Sequence, residues 1–115
     1  MPSSTVFKDF VLEQLYLCTN AYHFSARKMF GEFCIYIHSN GEKKALFLIC
    51  DDTVFLKQND KFKDILKDND LSPPFKGAKP WYVIDIENLE LLEMIIKDVF
   101  LFLEPLKIKN KKKIP

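Results

Sequence analysis

Apolar positions along the chain follow two regimes: spacings of three and four near the ends, and nearly continuous apolar runs in the middle. Phe7, Phe10, Val11, Leu15 and Cys18 recur at helical spacing while Lys8, Asp9 and Glu13 fall largely elsewhere. This predicts an amphipathic helix to about Cys18, ending near Thr19-Asn20. Ser3 or Ser4 can cap it, because either hydroxyl accepts from a first-turn amide that has no helical carbonyl to reach. Ala21 to Lys28 mixes aromatic, small and basic residues and reads as loop or a short lead into a sheet.

Phe33 to His38 and Lys44 to Cys50 are rich in aromatic and β-branched residues. Between them Asn40-Gly41 suits the positive φ values of a type I′ hairpin turn. With those two as the loop, Tyr36 stands opposite Ala45, Ile35 opposite Leu46, Cys34 opposite Phe47 and Phe33 opposite Leu48. Period-two alternation then puts Phe33, Ile35, Leu46 and Leu48 on one face and Cys34, Tyr36, Ala45 and Phe47 on the other. Both faces are largely apolar. Asp51-Asp52 is a short polar turn into Thr53 to Lys57, placing Val54 opposite Ile49 and Phe55 opposite Leu48. Connections this short make the three strands an antiparallel meander. Helices on one side only would leave the second apolar face exposed, which predicts self-association or a protein partner there. Tyr36, Phe47 and Leu56 are the candidate interface residues.

Asn59 or Asp60 can cap a short helix through Leu66, with Phe62, Ile65 and Leu66 facing inward. Asp68-Asn69-Asp70 and Ser72-Pro73-Pro74 then interrupt regular structure, since proline removes a donor and restricts the residue before it. Phe75 to Pro80 reads as a bulged strand and turn, and Trp81 to Ile84 as a better strand, both beside the meander. Asn88 can cap a last helix to about Leu103, with Leu89, Leu92, Ile96, Val99, Phe100 and Leu103 as its main stripe. The predicted fold is α+β: a two-layer domain, mainly antiparallel sheet backed by helices, in the order α-β-β-β-α-β-β-α. Residues 1–104 form the domain and 105–115 a basic, disordered tail.

Composition narrows the reading. The 115 residues are 48% hydrophobic and 14% aromatic, well outside the disordered range. No run approaches the roughly 18 to 20 apolar residues that span a bilayer, and MPSSTVFKDF lacks the features of a secretory signal. Cys18, Cys34 and Cys50 leave one thiol over under any internal pairing, and each sits in an apolar pattern. Three reduced thiols in a cytoplasmic protein are expected. The net charge of +1 hides an asymmetry: Lys107, Lys109, Lys111, Lys112 and Lys113 are five of 17 cations, leaving twelve against 16 acids before them. A mildly acidic body does not suit broad phosphate binding. Those lysines, with Arg27 and Lys28, are the candidate anion or nucleic-acid contacts.

Little catalytic chemistry can be assembled from these residues. His23 and His38 share no zinc spacing with a cysteine or acid, and Asp51-Asp52 lies in no metal-binding pattern. Cys34 and His38 are four residues apart on an extended strand, roughly 13 Å, beyond proton-transfer reach. Ser25 and Ser39 lack a nucleophile elbow and a base. No catalytic, cofactor-binding or metal-ligating residue is assigned.

Several runs together carry a family resemblance. Arg27-Lys28-Met29-Phe30-Gly31 is followed by a strand with Tyr36, by Gly41 in the turn, by Lys44-Ala45-Leu46-Phe47-Leu48 before Asp51-Asp52, and by Val54-Phe55-Leu56-Lys57. Pro74-Phe75, Trp81-Tyr82 and a leucine-rich terminal helix come later. On these residues the chain resembles the TfoX/Sxy N-terminal domain family of bacterial proteins associated with natural competence, from the first helix to about Leu103. The resemblance implies a two-layer α+β fold and a regulatory, protein-binding role. Three features depart from the pattern: Glu32 replaces a second glycine, the Asp85-Ile86-Glu87 segment is short, and the helical C-terminal domain of full-length competence regulators is absent. Function is therefore expected to be that of a non-enzymatic interaction domain, with regulation of transcription or competence as its setting. A weak nucleic-acid binder using the basic tail is the first alternative, and a small-ligand binder or enzyme the second.

Overall fold

The computed structural model describes residues 4–29 and 32–103. Its six strands are β1 (His23–Met29), β2 (Glu32–Ser39), β3 (Glu42–Cys50), β4 (Thr53–Leu56), β5 (Leu71–Ser72) and β6 (Trp81–Ile84). They form one antiparallel sheet in the spatial order β1-β2-β3-β4-β6-β5. Helices α1 (Thr5–Cys18) and α2 (Leu89–Phe102) pack against one side of it and share its core. The α+β class and the predicted order of elements hold, with one addition. Residues read as loop or a lead into the sheet form β1 as far as Lys28, and the strand, completed by Met29, is paired along its length with β2.

Local chemistry accounts for most boundaries. Ser4 Oγ accepts from the Phe7 amide at 3.0 Å and Asn88 Oδ1 from the Leu91 amide at 3.1 Å, so both long helices start on a side-chain cap. Asn59 Oδ1 likewise accepts from the Lys61 amide, but the element it starts is only a 3-10 turn, Asp60–Phe62, rather than a helix to Leu66. Phe62 and Leu66 still reach the core at 0% exposure. The strand expected at Phe75 to Pro80 does not form. Pairing with β6 occurs earlier, at Leu71 and Ser72, where the Asp70 carbonyl accepts from Val83 N–H and Asn69 Nδ2 donates to the Val83 carbonyl. Pro73 and Pro74 then end the ladder.

Asn40 (φ 52°) and Gly41 (φ 81°) make the expected left-handed hairpin turn, and Tyr36 pairs with Ala45 as that turn requires. The register then slips. Ile35 pairs with Phe47, Cys34 with Leu48 and Phe33 with Ile49, leaving Leu46 as the extra residue of a β-bulge. A bulge reverses the alternation beyond it, so Phe47 joins Ile35 against the helices while Leu48 turns to the other face. Leu46 and Phe47, consecutive in sequence, are both core residues at 3% and 1% exposure. Beyond the bulge, Leu48–Phe55 and Ile49–Val54 pair as predicted.

The sheet side of the core also holds a buried cation. Lys44 lies on the helix-facing side, and its Nζ donates to the Phe100 carbonyl at 2.7 Å while sitting 4.1 Å from the Phe100 ring centroid. Asn59 Nδ2 donates to the Phe102 carbonyl at 3.2 Å. The last turn of α2, whose carbonyls have no helical partner, is thus closed by one strand residue and one loop residue.

Candidate interaction surface

Alternation puts Ser25 and Arg27 of β1, Cys34, Tyr36 and His38 of β2, Leu48 and Cys50 of β3 and Phe55 of β4 on the sheet face opposite the helices. This outer face is apolar at its centre and basic toward β1. It is less bare than expected: Cys34, Tyr36, Cys50 and Phe55 are each 8% exposed or less, and Leu48 is half-buried. Cross-strand neighbours stand about 5 Å apart, so large side chains screen one another. Lys43 adds cover by laying its stem toward Tyr36, with Nζ 4.6 Å from the ring centroid.

The three predicted interface residues do not share a face. Tyr36 is on the outer side, whereas Phe47 and Leu56 are each 1% exposed within the core under the helices. Phe47 is displaced by the bulge; Leu56 follows Phe55 by one residue and so points the other way. Leu48 and Phe55 are the outer residues that the expected register misassigned or passed over. Arg27 and Lys28 are both exposed, but as consecutive strand residues they project to opposite faces and do not converge on one anion. Lys107, Lys109, Lys111, Lys112 and Lys113, like Phe30 and Gly31, lie outside the described residues.

The thiols and the phenol on this face are held in their neutral forms. Burial pushes the Cys50 thiol up to about 12, reinforced by its hydrogen bond to Glu32 and the carboxylate's charge. Burial also raises Cys34, opposed by a hydrogen bond from Tyr36 and by the Lys43 ammonium. The Tyr36 hydroxyl is raised by burial first and then by Cys34, with Arg27 opposing. A thiol that resists ionisation is a poor nucleophile at neutral pH, so these cysteines act as small apolar groups.

One pairing was invisible in the sequence. Ser25 Oγ and His38 Nε2 lie 2.7 Å apart, sharing a hydrogen bond whose direction depends on the imidazole tautomer. Their residues are diagonal neighbours across β1 and β2, since Ser25 pairs with Tyr36 and His23 with His38. A serine with a histidine base would need nearby amides to hold an oxyanion, yet the Ser25 amide points into the ladder toward β2. The pair therefore reads as a cross-strand fastener. Two open surface hollows lie elsewhere, one bordered by Gln58, Asp60, Lys63 and Tyr82, the other by Cys18, Tyr22, Glu93 and Lys97. Among the described residues no group of three His, Cys, Asp or Glu is placed to hold a metal ion, and no helix is long and apolar enough to cross a membrane.

Comparison with known proteins adds one relative. Over 58 residues the chain is 29% identical to an uncharacterized 12.7 kDa protein encoded in the trpE 5′ region of Spirochaeta aurantia. The match covers 50% of this chain and 47% of the relative, so the chain spans about half the length of the protein it resembles. No family model matches the chain, and no solved structure gives a significant match.

Proposed function

We propose that the chain is a non-enzymatic protein-interaction domain that binds a partner, or a second copy, through the helix-free side of its sheet. The observation that supports this most directly is the apolar centre of the outer face, where Leu48 stays half-buried among Cys34, Tyr36 and Phe55 with both helices on the other side. The resemblance to the TfoX/Sxy N-terminal domain sets this role in the regulation of transcription or competence, within the cytoplasm. Leu48→Arg tests the reading, because it places a charge on the outer face without touching the core cluster. Sedimentation of the intact chain up to high micromolar concentration, and capture of binding proteins from its native extract, are compared for both forms. The reading holds where the variant stays folded and loses self-association or a specific partner. A monomer at every concentration, with identical capture by both forms, rejects it.

The lysines at 107–113 motivate a second reading, weak binding to nucleic acid. Deleting residues 107–115 and titrating both forms with DNA and RNA at two salt concentrations distinguishes it. Absence of salt-dependent binding by the intact chain removes it.

A further inference from the structure

The two ends of the sheet expose backbone in different ways, and among the described residues β1 offers the longer run of outward hydrogen-bonding groups. Tyr16 of α1 reaches the outer edge of β1 at Phe24: the Phe24 amide donates to the Tyr16 hydroxyl at 2.9 Å, and that hydroxyl donates to the Phe24 carbonyl at 3.1 Å. Phe24 therefore directs its peptide groups away from β2. In an antiparallel ladder alternate residues point the same way, so Ala26 and Lys28 direct theirs outward as well. Among the described residues nothing hydrogen-bonds those groups. The half of β1 from Arg27 to Met29 is exposed on its side chains too.

Charge selects what can fill this edge. Arg27 and Lys28 stand on opposite faces of the strand, so an added strand meets a cation on each side. Pairing with a second copy is disfavoured in each antiparallel register centred on these residues, and joining Lys28 to Lys28 of the second copy sets two ammonium groups directly opposite. Joining Ala26 to Lys28 of the second copy sets Arg27 directly against Arg27, a like-charge contact. Joining Ala26 to Ala26 brings Lys28 to Phe24, whose groups Tyr16 already occupies. An extended acidic segment meets none of these obstacles and pairs its carboxylates with Arg27 and Lys28.

We propose that the open half of β1 is a docking edge for an acidic peptide segment of another protein, which adds to the sheet as a strand beside Ala26–Met29. This rests on the reading of the chain as a protein-interaction domain but uses the sheet's edge, which Leu48→Arg leaves intact. The intact chain, labelled with 15N, is titrated with a synthetic ten-residue peptide repeating Glu-Glu-Val-Val, which presents carboxylates on both faces of a strand, and with a Lys-Lys-Val-Val counterpart. With the acidic peptide, the Ala26 and Lys28 amide signals shift and their hydrogen exchange slows at least tenfold, while the basic peptide does neither. Ala26→Pro removes one outward donor and abolishes binding. The double charge reversal Arg27→Glu, Lys28→Glu weakens the acidic peptide at least tenfold, and it carries the test where the proline variant fails to fold. Unchanged exchange at both amides in saturating acidic peptide overturns the proposal. So does equal affinity for the two peptides, or a dimer of the chain that Ala26→Pro dissociates. Loss of partner binding in Leu48→Arg with peptide binding intact separates this edge from the outer face.

Discussion

The two edges of the sheet solve one problem by different means. At one end, β5 is two residues long, is followed by Pro73 and Pro74, and carries Leu71 at 51% exposure. At the other, β1 is seven residues long, buries Phe24 in the core and is half closed by a tyrosine hydroxyl. Unpaired backbone invites foreign strands, and brevity with proline removes the invitation. On β1 the remaining protection is charge, with Arg27 and Lys28 on opposite faces of its open half. The contrast is between an edge closed by brevity and proline and one guarded by a hydroxyl and two cations.

The sharpest way to break this comparison is to truncate one side chain on each edge strand. Phe24→Ala removes a core aromatic and is expected to lower unfolding free energy by about 3 to 5 kcal/mol, whereas Leu71→Ala should stay within about 0.5 kcal/mol, both measured by chemical denaturation. Equal losses would mean that β5 is as integral to the fold as β1. Next in size, Tyr16→Phe keeps the edge-to-face contact with Phe24, at 5.3 Å between centroids, but removes the hydroxyl. A loss of about 1 to 2 kcal/mol is expected, with the Phe24 amide exchanging faster than in the parent chain. An unchanged exchange rate would show that the hydroxyl does not guard the edge. Ser25→Ala cuts the fastener to His38 on the outer face and is expected to destabilise by about 1 kcal/mol, read from the thermal midpoint. The smallest stability change, within about 0.5 kcal/mol, is expected for Pro73→Thr, an exposed position. Its effect should instead appear in sedimentation as new self-association, because a donor is restored where the chain leaves β5. A strictly monomeric variant would show that strand length alone keeps that edge quiet.

Legibility in the sequence tracked how local the determining interaction was. The Asn40-Gly41 turn, the cap at Asn88 and the stripe of α2 depend on neighbours a few residues away and could be read directly, while the caps at Ser4 and Asn59 were each one of two adjacent candidates. The bulge at Leu46 could not. Lys44 to Cys50 is apolar on both parities, so no alternation marks where the register slips, and the faces assigned to Phe47 and Leu48 were exchanged. β1 was faint because an edge strand half exposed on both sides needs few apolar residues: in HFSARKM only Phe24 is fully buried. Leu71-Ser72 forms a strand through Asn69 and Asp70 contacts to Val83, 14 and 13 residues away, which composition does not announce. The Ser25–His38 contact is likewise a product of register, not of any motif.

The lysine clasp on the terminal helix has a consequence for how the chain matures. Lys44 leaves the ribosome's tunnel 56 residues before the carbonyl that receives it, so a nascent sheet keeps that ammonium in water until the end of α2 has been made. Arrested nascent chains ending at residue 95 should therefore be digested readily by protease, and those extended past residue 103 by a linker should resist. Resistance in the shorter form would show that the meander consolidates before its last helix arrives.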